Sequence, residues 1–225
     1  MSVTVFTAIS LNGIIAPGRG VSADVLIPGL GVPAEVMEWK RETRRRHGVV
    51  LVGTGTALVD DPTLTSHALP GRPAVRAVLD ARGRIPRHAR LFDGSARTLV
   101  GVTAATPEEY LEFLARRGVE AVMAGEGERI DLRRLLAGLA ERGLPEVLVD
   151  GGGTLNRSLL NEGLVDRLEL MVFPAVLDAG SVNLFEGGGE LARFRLQGVE
   201  RWGDYLLQRY ERWELTRTAR SPGAW

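Results

Sequence analysis

The stretch VLVDGGGTLNRSLL, residues 147–160, carries the reading of the fold. A continuous apolar run ends in an acid, Asp150, and three glycines follow at Gly151, Gly152 and Gly153. A helix-like pattern then opens at Thr154. Strand, glycine turn, helix is the order in which an α/β sheet presents backbone N–H groups at its carboxyl edge. The glycines serve either a phosphate at the helix start, drawn by the free N–H groups and their partial positive charge, or close packing of helix on sheet. The stretch alone leaves both open.

Working outward, the same kind of unit repeats. Near-continuous apolar runs rich in β-branched residues occupy 3–9, 49–53, 74–80, 98–103, 119–125 and 146–151. Helical patterns fill Glu35–Arg46, Pro107–Arg117, Leu132–Arg142 and Thr154–Glu162, with Pro107 placed early in its helix and Gly143 and Gly163 as stops. Apolar strands alternating with helices predict a parallel sheet covered on both faces. The last third differs. RLELMVFPAVL (167–177) and DYLLQRYERWEL (204–215) alternate polar and apolar residues with no long helix between them. They predict an antiparallel, hairpin-like edge, and Pro174 favours an edge position or a bulge. Pro17–Pro33 reads as a loop over the sheet. One domain over 1–217 with a frayed tail at 218–225 is expected.

Composition removes several function classes. The 225 residues carry 28 basic and 28 acidic side chains, a balance that argues against a nucleic-acid binder relying on backbone neutralisation. There is no cysteine, so disulfides, thiolate metal sites and a cysteine nucleophile are excluded. His47, His67 and His88 lie far apart with no metal-ligand spacing, and no metal is expected. The N-terminus has no basic leader and no run reaches transmembrane length, so a cytoplasmic protein without membrane contact is expected. Lys40 is the only lysine.

Two further strand ends resemble the opening stretch. In VVLVGTGTALVDDPTLT (49–65), Gly53 and Gly55 permit close backbone approach, Thr54 and Thr56 offer hydroxyls and capping, and Asp60-Asp61-Pro62 stops a short helix. In VLDARGRIP (78–86), a strand ends in Asp80 and Arg82 and Arg84 follow, a pair suited to a phosphate such as the 2′-phosphate of NADP. Arg84 reads better as part of a solvated turn.

Taken together, SLNGIIA (10–16), VGTGTALVDDPTLT (52–65), VLDARGRIP (78–86) and VDGGGTLNRSLLNEGLVDRL (149–168) resemble the riboflavin-pathway pyrimidine reductases of the dihydrofolate reductase-like superfamily. The resemblance runs to about Phe185 and implies a three-layer α/β fold, NADPH as cofactor, and reduction of the ribose of a phosphoribosylamino-pyrimidine to a ribityl chain. It also implies a homodimer. Members often carry an upstream deaminase domain, and the stand-alone type is expected here. By position, the resemblance assigns the cofactor to Gly53, Thr56, Asp60, the turn Asp80-Ala81-Arg82-Gly83, and Gly151, Gly152, Gly153, Thr154 and Leu155. It assigns the substrate to Ser22, Arg44, Leu64, His67 and Asp150, with Arg44 on the phosphate and Asp150 as the candidate catalytic acid.

Two departures stand out. The family's SLDGK is SLNGI here, so an acid has become Asn12 and a lysine has become Ile14. Lys40 lies far along the chain and is no obvious replacement for the lysine. These changes leave two alternatives: a reductase of the same fold acting on another heterocycle, or an NADPH-binding paralogue without turnover.

Overall fold

The computed structural model describes residues 1–66, 68, 73–178 and 180–213. The predicted tail at 218–225 and His67 lie outside the described residues. Strands run β1 (Ser2–Ser10), β2 (Ile14–Ala16), β3 (Val49–Val52), β4 (Val75–Leu79), β5 (Arg97–Val102), β6 (Glu120–Met123), β7 (Glu146–Asp150), β8 (Arg167–Phe173), β9 (Val182–Asn183), β10 (Phe194–Trp202) and β11 (Tyr205–Arg212). Helices run α1 (Ile27–Leu30), α2 (Ala34–Arg46), α3 (Thr54–Asp60), α4 (Glu108–Arg116), α5 (Leu132–Glu141) and α6 (Gly153–Asn161).

Nine strands form one sheet in the order β10-β11-β8-β1-β7-β3-β4-β5-β6. From β8 to β6 every neighbouring pair is parallel. β11 lies antiparallel on β8, and β10 antiparallel on β11. The continuous apolar runs have a simple cause. Successive side chains of a strand face opposite sides of the sheet, and both sides are covered. Val49, Leu51, Val147 and Val149 join a core with Leu135 and Leu139 of α5 and Leu155 and Leu159 of α6. Val50, Val52 and Leu148 join a second core with Val36 and Trp39 of α2 and Tyr110 and Leu114 of α4. Each such fully buried Val or Leu contributes roughly 1.5–3 kcal/mol.

The C-terminal third departs from expectation in two ways. β8 is an inner strand between β1 and β11, and Pro174 lies just past its end, where no ladder N–H is needed. The edge strand is β10, which the sequence pattern does not reveal. Its residues are all exposed or half-exposed, and its register shifts between Leu196 and Gly198. Alternation therefore has no buried face to mark it. A separate ribbon of β2 and β9 closes over the start of α6. Pro17–Pro33 is not all loop, since Ala23–Leu26 forms a 3-10 turn that runs into α1. No helix among the described residues is long and apolar enough to cross a membrane.

Candidate active site

The carboxyl ends of β1, β3, β4 and β7 open onto one cleft of about 1280 Å³. A pocket for one drug-sized ligand is about 300–1000 Å³, so this cleft exceeds what one such ligand fills. Fifteen of the described sequence-assigned residues line it, among them Ser22, Arg44, Gly53, Thr56, Asp60, Leu64, Asp150 and Leu155. Gly83 does not.

The glycine turn after β7 uses its glycines for two different reasons. Gly151 and Gly152 have φ of 93° and 97°, which L side chains rarely adopt. Gly153 has no such φ, and its need is space. A Cβ there would sit 2.7 Å from Cγ of Glu186 and overlap the Asn183 carbonyl oxygen. The Glu186 N–H donates to the Gly153 carbonyl at 3.0 Å, and Asn156 of α6 donates its amide to the Leu184 carbonyl, also at 3.0 Å. The segment after β9 is thereby strapped onto the helix start. Gly152 is the N-cap and α6 begins at Gly153, one residue earlier than expected, so Thr154 is not a cap. With no capping side chain, first-turn N–H groups of α6 remain free at the cleft wall. Leu155 is buried and faces Gly53, which ties the first two turns together.

The turn after β3 is similarly bare. Gly53 caps α3 without a side-chain bond, and Thr54 donates its hydroxyl to the Leu79 carbonyl instead of capping. Thr56 places its Oγ1 beside Gly152. Beyond α3 the chain takes left-handed conformations at Asp61 and Leu64, with φ of 37° and 51°. This costly geometry has anchors. Asp61 accepts from the Arg90 N–H at 2.8 Å, and the Thr63 carbonyl accepts from Arg76 at 2.6 Å. Arg76 is fully buried and also donates to Thr98 and Asp93. The outcome is a buried Leu64 at the cleft wall.

After β4, Asp80 accepts from the N–H groups of Arg84 and Ile85 at 3.0 and 2.9 Å. Its carboxylate shapes the turn from within and is almost wholly buried. Gly83 is required there, with φ of 61° and Tyr110 so near that a Cβ would lie 2.9 Å from its ring. Pro107 serves as the N-cap of α4 and is not inside it. Arg82 pairs with Glu128 at the surface, while Arg84, assigned to a solvated turn from sequence, lines the cleft.

The other flank of the cleft belongs to α2 and β1. Phe6 packs on Trp39 with ring centroids 4.5 Å apart, and both line the cleft. Arg44 reaches from α2 to Asp150 at the end of β7, its Nε 2.9 Å from Oδ2 and its Nη2 on the same oxygen. Arg44 Nη1 donates to Ser66 at 2.7 Å. Two residues assigned separately from sequence are thus one ion pair, with side chains only 12% and 14% exposed. Asp60 sits at the rim. The protein around it pushes its carboxyl above the ordinary range, as do Asp24 and Asp150, against a hydrogen bond from Ser22 and the charge of Lys40. Tyr205 also lines the cleft and donates its hydroxyl to the Leu30 carbonyl at 2.8 Å.

The two departures in the N-terminal motif have structural explanations. The Asn12 amide donates to the Leu177 carbonyl at 2.8 Å and accepts from the Leu177 N–H at 3.2 Å. A carboxylate could only accept. Ile14 is buried in β2, outside the cleft lining. Lys40, remote in sequence, lines the cleft from α2. The sequence reading missed Lys40, Trp39, Phe6 and Tyr205. The first could have been found from its four-residue spacing to Arg44, which puts both on one helix face.

A family model described as the RibD C-terminal domain matches residues 1–207. The chain belongs to this family. Its relatives in the RibD C-terminal domain family are named as pyrimidine reductases and riboflavin biosynthesis proteins, that is, oxidoreductases of riboflavin biosynthesis. One is the 2,5-diamino-6-ribosylamino-4(3H)-pyrimidinone 5′-phosphate reductase of Methanothermobacter thermautotrophicus, 36% identical over 212 residues that cover 90% of this chain and 94% of that protein. A crystal structure of a pyrimidine reductase-like protein from Corynebacterium diphtheriae, 20% identical, matches with a TM-score of 0.79 over 95% of this chain and 92% of the other. Dihydrofolate reductase from Enterococcus faecalis, complexed with NADP(H), is 11% identical with a TM-score of 0.52 over 94% of this chain and 96% of its own. The fold of this RibD-type chain is therefore dihydrofolate reductase-like, with a mostly parallel sheet and antiparallel edge strands.

Proposed function

We propose that this protein is an NADPH-dependent reductase that converts the ribosyl group of a phosphoribosylamino-pyrimidine, diaminopyrimidinone or aminouracil, to a ribitylamino chain. The observation that carries this reading is the layout of the cleft. A bare, glycine-entered helix start at Gly151–Thr154 lies directly after Asp150, which is paired to Arg44 on the opposite wall. One side offers backbone N–H groups to a diphosphate. The other offers a carboxylate and an aromatic wall to a sugar and a pyrimidine.

The residues fit a dinucleotide. Gly151 and Gly152 leave backbone where a side chain would stand, with open space at Gly151. The strand-end turns at Gly53–Thr56 and Ala81–Arg82 continue the same flank. NADPH, when bound, supplies the hydride. The chain's own part is to bind, orient and place a proton-handling group. Asp150 Oδ2 is taken by Arg44, and Oδ1 is the oxygen left to meet the opened sugar. Leu64, Trp39 and Phe6 give the wall its apolar character. We place the cofactor on Gly53, Thr56, Asp60, Ala81, Arg82 and Gly151–Leu155, with Asp80 and Gly83 shaping their turn. The substrate falls to Ser22, Arg44, Leu64 and Asp150. A cytoplasmic homodimer completes the reading.

Asn12 and Ile14 do not weaken it. Asn12 is bound to the Leu177 backbone and Ile14 is packed away from the cleft lining. The test is NADPH oxidation, followed by absorbance, with the diaminopyrimidinone and aminouracil ribosyl phosphates. Turnover with either supports the reading. NADPH binding without turnover on both would favour a non-catalytic paralogue.

A further inference from the structure

Val36, Lys40 and Arg44 stand at four-residue intervals on α2, and all three line the cleft. The other cations of this helix are committed. Arg41 and Arg45 pair with Glu38, Arg44 with Asp150, and Arg46 with Glu169. Arg44 also gives its remaining nitrogen to Ser66. Lys40 makes no ion pair and no side-chain hydrogen bond among the described residues. It is half-buried, and its charge is felt by Asp60 at the cleft rim.

That flank is rich in acid. Asp24 and Asp150 both act on Asp60 there, and the Arg44 charge is already balanced by Asp150. An anion entering this end would meet three carboxylates and a neutralised arginine. Among the cations of α2, Lys40 alone brings an uncommitted positive charge, on a flexible stem with three donors. The glycine turns and the Asp80 turn follow β7, β3 and β4, whereas α2 packs on β1 and β8, so an anion beside Lys40 is assigned to the substrate and not to the dinucleotide.

We propose that Lys40 receives the phosphate of the substrate and sets the enzyme's selectivity for the phosphorylated over the unphosphorylated ribosylamino-pyrimidine. This rests on the reductase reading. It transfers to Lys40 the discriminating role that Arg44, held by Asp150, is poorly placed to play alone.

The test compares wild type, Lys40→Gln and Lys40→Arg with phosphorylated and dephosphorylated substrate, with NADPH affinity measured separately by fluorescence. A charge-assisted hydrogen bond of ordinary strength gives a rise in KM of at least about tenfold for the phosphorylated substrate in Lys40→Gln. The KM for the dephosphorylated one and the affinity for NADPH stay unchanged, and Lys40→Arg recovers most of the loss. An unchanged KM for the phosphorylated substrate in an active Lys40→Gln enzyme overturns the proposal. Should wild type oxidise no NADPH with either pyrimidine, the reductase reading fails, and Lys40 is judged on ribose 5-phosphate against ribose in a thermal-shift assay. Selective stabilisation by ribose 5-phosphate that disappears in Lys40→Gln upholds the phosphate site. Stabilisation that persists in the variant, or is absent from wild type, overturns it.

Discussion

Arg44 and Asp150 join α2 to the end of β7, Nε to Oδ2 at 2.9 Å, across 106 positions of sequence. Both arginine donors converge on one oxygen, which leaves the other without an arginine donor. Asp150→Asn keeps the shape of this pair and removes the charge. Its kcat should fall about 100-fold or more, the usual worth of a positioned acid or base, with NADPH affinity within about twofold of wild type. Unchanged turnover would remove Asp150 from the chemistry. Arg44→Met should cost stability as well, since it leaves a largely buried carboxylate unpaired.

The two kinds of glycine in the turn separate by substitution. Gly151→Ala meets open space but a φ of 93°, a strain of about 1–2 kcal/mol. Gly153→Ala meets the Asn183 backbone and must displace the strap at 183–186. It should lower the melting temperature more than Gly151→Ala and weaken NADPH binding. Calorimetric unfolding with and without NADPH checks both. Equal melting temperatures would show that the strap yields freely.

Arg76 holds the loop that carries Leu64. It is fully buried and donates to the Thr98 hydroxyl, the Thr63 carbonyl and Asp93, whose carboxyl it and Ser95 hold well below the ordinary range. Arg76→Met strands the Thr63 carbonyl and releases the left-handed Leu64. A loss of roughly 2–4 kcal/mol is expected from breaking such a network. Urea unfolding measures it, and a loss under about 0.5 kcal/mol, the range of ordinary surface changes, would refute the anchor.

His47 makes stability depend on pH. The Thr43 carbonyl at 2.7 Å can only accept, so Nδ1 carries the proton and Nε2 accepts from the Thr4 hydroxyl at 3.1 Å. Burial holds the imidazole below its ordinary value near 6.5, against the Thr43 bond. The unfolded chain therefore takes up its proton first, and stability is lost as pH falls from about 6.5 toward the lower folded value. The drop in melting temperature between pH 7.5 and 5.5 should be smaller in His47→Gln than in wild type, by about the worth of this one titration. Parallel curves would dismiss the histidine.

Much of this was legible in the sequence because two-sided burial writes a continuous apolar run, as at Val49–Val52 and Val147–Val149. β10 was not, because no face of it is buried. Within the site, the glycine turns and Asp150 could be read since a strand end and a helix start are local events. That Arg44 and Asp150 form a pair, or that Lys40 shares their cleft, depends on how α2 is laid across β1 and β8. Trp39 against Phe6 and Glu169 sets that placement, through contacts between residues distant in sequence. Thr154 shows the limit at single-residue scale. A threonine after glycines reads as a cap, yet the strap at 183–186 lets the helix begin on Gly153.

The central claim is reduction at the sugar. Its most direct measurement is mass spectrometry of the product formed with NADPH carrying deuterium at the transferred position of C4. A ribitylamino-pyrimidine phosphate with a single deuterium, located at C1 of the ribityl chain, is the expected result. An unlabelled product, deuterium elsewhere, or an unreduced ribosyl group in the presence of tightly bound NADPH would contradict it.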